Sequence, residues 1–70
     1  MNKNIEKEIW NTLPWYILIP GGKYAYAIGK TGQYESELSK AQPFYNWIDA
    51  VEYVEKHGYE KIATIRKIII

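Results

Sequence analysis

Cysteine is absent from the chain. Neither disulfides nor thiolate metal sites can staple the fold, and a reducing cytosol is the natural compartment. Histidine is nearly absent as well. His57 stands alone, too few for a His-based metal centre, and neither a serine nor a cysteine triad can be assembled around it. Placed just before Gly58, it reads as a helix-terminal cation or polar cap.

Long apolar runs are missing too. No stretch approaches the ~20 apolar residues of a membrane span. Residues 2–13 are polar except for Ile5, Ile9, Trp10 and Leu13, unlike the continuous hydrophobic segment of a signal peptide. The expectation is a soluble, cytoplasmic protein with no membrane partner. Net charge is only +1, from nine basic and eight acidic residues, so any binding to nucleic acid or anionic lipid needs a local patch.

What the chain has is aromatic side chains: three Trp, seven Tyr and one Phe, or 16% of its 70 residues. A single small domain spanning 1–70 leaves little margin between apolar burial and chain entropy. Rings bury more area than aliphatic side chains and compensate in part, and self-association is the other route.

The central stretch runs from Trp15 to Gly29. Trp15-Tyr16-Ile17-Leu18-Ile19 suits a strand covered on both faces, and the Gly21-Gly22 pair supplies the positive φ of a tight turn before Lys23 to Ile28 returns, which predicts a β-hairpin. Before it, Ile5, Ile9, Trp10 and Leu13 share one side of a short helix ended by Pro14; the alternative is an arm that orders on docking. After it, alternation over 33–38 predicts a short edge strand with Glu35 and Glu37 facing water.

Residues 46–57 predict the main helix, with Asn46 as cap and Asp49 in an acidic first turn. Trp47, Ala50, Val51 and Val54 form its buried stripe, with Ile48 on the flank. Gly58 closes it, and Tyr59 folds back as the apolar contact of that cap. Residues 60–69 predict the last strand. The fold class expected is α+β: a β-β-β-α-β domain with sheet order 3-2-1-4, mostly antiparallel, one main helix on one face and a short N-terminal helix. The helix between the third and fourth strands is read as a crossover that returns the fourth strand parallel to the third.

Few motifs carry chemistry. Gly29-Lys30-Thr31 ends like a phosphate loop, but the full pattern needs glycine where Tyr24 stands and a helix where Gly32 and Gln33 follow, so a plain turn is the better reading. Glu52 and Glu55 lie on the wet side of the helix, and Glu35 and Glu37 on the wet side of a strand; unburied pairs have no reason to act as a general acid and base. No catalytic residue, cofactor or metal site is expected.

The tyrosines are the anomaly. Tyr24, Tyr26 and Tyr34 on the sheet, with Lys23, Lys30 and Arg66 interspersed, suit either a core and interface or a surface that stacks a base and holds phosphate. Tyr16 and the terminal run Ile68-Ile69-Ile70 suggest an interface, and a homodimer or larger assembly is expected. The function expected is a non-catalytic binding protein that sequesters or blocks a nucleotide-like small molecule or a protein partner, the kind of product that phages and other mobile elements encode as inhibitors. The alternative is a module binding single-stranded nucleic acid through sheet tyrosines and lysines.

Overall fold

A computed structural model of the chain describes residues 10 and 12–68. It is an α+β fold: a four-stranded antiparallel sheet of order β3-β2-β1-β4 with one main helix packed on one face. The strands are β1 (Trp15–Gly21), β2 (Tyr24–Ile28), β3 (Tyr34–Glu35) and β4 (Thr64–Lys67), and the helix α1 is Trp47–Lys56. The expected N-terminal helix falls largely outside the described residues, as do Ile69 and Ile70.

The hairpin forms where the apolar run predicts it, with a shifted turn. Gly21 pairs with Tyr24, so the two central residues are Gly22 and Lys23. Only Gly22 has positive φ (82°), and a positive first position alone is the II′ arrangement. Gly21 is required for a different reason: a Cβ there would lie 2.0 Å from the Tyr26 ring, which packs over it. The glycine pair thus divides its work between clearance and backbone conformation.

The predicted edge strand shrinks to Tyr34–Glu35, because the chain bends at Ser36 and enters a 3₁₀ turn at Leu38–Lys40. It then doubles back. Ala41 bridges Gly29, and Phe44 exchanges two backbone hydrogen bonds with Trp15, its amide donating at 2.9 Å and its carbonyl accepting at 2.6 Å. This return corrects the expected strand direction. Since 36–44 brings the chain back to the end of the sheet where β1 begins, α1 starts there and β4 runs antiparallel to β1, not parallel to the third strand. β4 is also shorter than predicted, because Ile62 and Ala63 donate to the Tyr59 carbonyl in a turn.

Register assigns the faces, since successive residues alternate. Ile17 and Ile19 of β1, Tyr24, Tyr26 and Ile28 of β2, Tyr34 of β3 and Ile65 and Lys67 of β4 point toward α1. Ile17, Ile19 and Ile28 join Ala50 and Val54 of the helix in the buried core, flanked by Phe44, Tyr53, Tyr59, Ala63 and Ile65. Trp47 departs from the expected stripe. It is 50% exposed, and Tyr53 packs against the core instead. Asn46 stands at the N-cap with extended backbone, but its side chain makes no capping hydrogen bond.

The other helix end behaves as predicted. Gly58 has φ of 72°, its amide donates to the Glu55 carbonyl at 3.2 Å, and the Tyr59 amide donates to the Val54 carbonyl at 2.9 Å. These two bonds are the Schellman pair. Tyr59 folds back onto the core, as expected of that cap.

No described helix packs on the second face of the sheet, although Ala27 on that face is buried. The expectation that β1 is covered on both sides holds only on the helix side; Tyr16 and Leu18 on the other are half-buried.

Candidate functional site

The structure separates the residues that the sequence groups together. Tyr24, Tyr26 and Tyr34 share the helix side, whereas Arg66 and Tyr16, directly paired across β4 and β1, lie on the open side. Lys23 sits at the hairpin tip and Lys30 just beyond the other end of β2. No single surface therefore presents all three rings with all three cations. Ile68 is half-buried after the end of β4.

On the helix side the rings bind one another. The Phe44 and Tyr53 rings meet edge to face at 5.6 Å, Tyr53 stacks on His57 at 4.0 Å, and His57 lies nearly parallel to Tyr59 at 5.9 Å. His57 Nδ1 is 2.9 Å from the Tyr53 carbonyl oxygen, which fixes the ring against the helix end. Tyr34 is hydrogen bonded to Tyr59, and this bond, with some desolvation and the neighbouring phenol, holds its hydroxyl above the ordinary pKa. Tyr24 alone of the three stands well clear, at 76% exposure.

Gly29-Lys30-Thr31-Gly32 forms a turn, with the Gly32 amide donating to the Gly29 carbonyl at 3.1 Å, and leads into a strand. Gln33 braces it. Its side-chain oxygen accepts from the Thr31 amide and hydroxyl, and its amide donates to Glu35 at 2.9 Å. None of the described residues that are buried is polar or charged, so no described carboxylate is fully buried. Among the described residues, no group of three or more His, Asp or Glu side chains converges as a metal site.

Two surfaces remain among the described residues. The first is an apolar shelf at the end of the sheet where α1 begins. Tyr45, Trp47 and Ile48 are 73%, 50% and 57% exposed, directly after Phe44 pairs with Trp15. Lys67, paired with Trp15, donates to the Trp10 carbonyl at 2.6 Å and lies over the Trp10 and Trp15 rings at 5.3 and 5.1 Å, which brings Trp10 to the same end. Sequence reasoning missed this shelf because helical periodicity placed Trp47 inside; the run Tyr45-Asn46-Trp47-Ile48, too apolar for a solvated helix start, was the available signal.

The second is a concavity of about 350 Å³ on the open face, lined by Leu18, Pro20, Ala25, Ile62, Thr64 and Arg66. Its walls are mainly apolar, and Arg66 is the one charge in them. Among the described residues, no helix is long and apolar enough to cross a membrane. No protein-family model, curated protein or solved structure matches the chain.

Proposed function

We propose that the chain is a small non-catalytic binding protein that blocks or sequesters a partner protein through the shelf formed by Tyr45, Trp47 and Ile48. The observation that carries this reading is the exposure of these three large side chains within four residues at the start of α1. Trp and Tyr dominate binding hot spots because each brings a large area at little entropic cost, and a fixed backbone lowers that cost further. A partner that fits presents an apolar pocket for Trp47 and a hydrogen-bond acceptor for its indole N–H or the Tyr45 hydroxyl.

A protein partner is favoured over a nucleotide because two of the three sheet tyrosines are engaged elsewhere, leaving only Tyr24 exposed without an internal contact among the described residues. Tyr26 packs on Gly21 and Tyr34 is bonded to Tyr59, so neither is free to stack a base without giving up an internal contact. The reading fits a cytoplasmic inhibitor of the kind mobile elements encode.

The test uses the full chain and a Tyr45→Ser/Trp47→Ser variant as matched baits in cell extract, followed by rebinding of each purified candidate. A protein that binds the parent, fails on the variant and holds in high salt supports the proposal. Identical or empty eluates overturn it. Retention of single-stranded nucleic acid that falls steeply with salt replaces it with the nucleic-acid reading.

A further inference from the structure

We infer that the open face of the sheet is the seat of a second copy of this chain, packed face to face about a two-fold axis running along the strands. Two features of that face argue for this occupant: the sizes of its side chains and the positions of its charges.

The open-face residues of β1 are large and those of β2 are small. Tyr16, Leu18 and Pro20 stand on β1, while Ala25 and Ala27 stand on β2, with Leu18 paired to Ala27 and Pro20 to Ala25. A two-fold axis along the strands exchanges left and right across the sheet while keeping the level along each strand. It therefore sets β1 of one copy over β2 of the other, with Pro20 over the exposed Ala25 and Leu18 over Ala27, which is already buried within one copy, a self-complementary match of large on small. The other face-to-face two-fold, with its axis across the strands, sets β1 on β1 and meets Leu18 with Leu18, leaving the alanines of β2 facing one another across a gap.

Charge selects the same arrangement. Arg66 on β4 and Glu35 on β3 lie at opposite edges of the open face. Arg66 has no hydrogen-bond or ion-pair partner among the described residues, and Glu35 is engaged only by the Gln33 amide on one oxygen. The axis along the strands places β3 of one copy over β4 of the other. Glu35 then lies over Thr64, level with it across the sheet, and Arg66 is two residues farther along the same strand, within reach of its long side chain. Two such pairs form per dimer. The concavity around Arg66 takes the acidic edge of the partner sheet.

Strands about 4.8 Å apart and about 3.3 Å per residue give a face of roughly 300 Å² in projection, so the contact belongs to the small interfaces and the dimer to the concentration-dependent class.

Sedimentation velocity of the purified chain over a wide concentration range is the test, with circular dichroism confirming that each variant is folded. The parent is expected to move from monomer to dimer. Arg66→Glu or Glu35→Arg alone is expected to weaken the dimer at least tenfold, and the two together to restore it, because the swap recreates both pairs with reversed sign. A parent that stays monomeric throughout overturns the inference. So does a dimer indifferent to both single changes, or one that the double variant fails to restore. A dimer lost instead in Tyr45→Ser/Trp47→Ser moves the self-contact to the aromatic shelf; this separates failure here from failure of the binding proposal, which rests on that other surface.

Discussion

The ring of Tyr26 lies so closely over Gly21 that a Cβ on the glycine would come within 2.1 Å of two ring atoms. A ring seated on a strand glycine replaces the packing that the missing side chain cannot offer. Gly21→Ala is expected to cost about 1–3 kcal/mol by overpacking. The loss is expected to shrink in a Tyr26→Ala background, where the ring clash has gone and only the 2.9 Å approach to the Tyr24 carbonyl oxygen remains. A double-mutant cycle by thermal melting measures that coupling, and additive effects would show that the two residues act independently.

Tyr34 is expected to titrate above the ordinary phenol value of about 10, chiefly through its hydrogen bond to Tyr59. A pKa raised in the folded state means that the protonated phenol is the form the fold favours. The stabilisation is therefore complete below the unfolded value and is lost as pH rises through the folded one. Tyr59→Phe removes the hydrogen bond and brings the Tyr34 transition back toward the ordinary value. Ultraviolet phenolate titration of the parent, Tyr59→Phe and Tyr34→Phe identifies the transition; no difference between the first two would place the cause elsewhere.

Lys67 ties the segment before β1 to the sheet through the Trp10 carbonyl and the faces of two indoles. Cation–π contacts contribute about 0.5–1 kcal/mol each at exposed sites. Lys67→Met keeps the apolar stem and removes the charge and the donor. It is expected to raise tryptophan quenching by iodide and to lower stability by about 1–2 kcal/mol. Unchanged quenching would show that Trp10 is held by other contacts.

Trp47 and Ala50 occupy one helix, and their expected sensitivities are opposite. Ala50 is fully buried against the sheet, so Ala50→Leu is expected to lose about 1–3 kcal/mol through overpacking. Trp47 is half-exposed and outside the core cluster, and Trp47→Gln is expected to change stability by no more than about 0.5 kcal/mol. Denaturant unfolding of both variants checks the pair. A large loss for Trp47→Gln would return that ring to the core, where periodicity alone puts it.

The strand order 3-2-1-4, the hairpin, the helix at 47–56 and its Gly58 cap were legible in the amino-acid order because each rests on local chemistry. An unbroken apolar run marks a central strand, paired glycines mark a tight turn, and a glycine after Lys56-His57 stops a helix. What local pattern could not decide was direction and sidedness. β4 runs antiparallel to β1 because the Ala41 and Phe44 bridges first return the chain to the far end of the sheet, a contact between residues distant in sequence. The candidate rings and cations part for the same reason. Tyr26 and Arg66 fall on opposite faces through the registers of β2 and β4 against β1, and the exposure of Trp47 follows from where the first turn of α1 meets the sheet. Periodicity specifies which residues share a side; only the pairing of strands and the seat of the helix specify which side is covered.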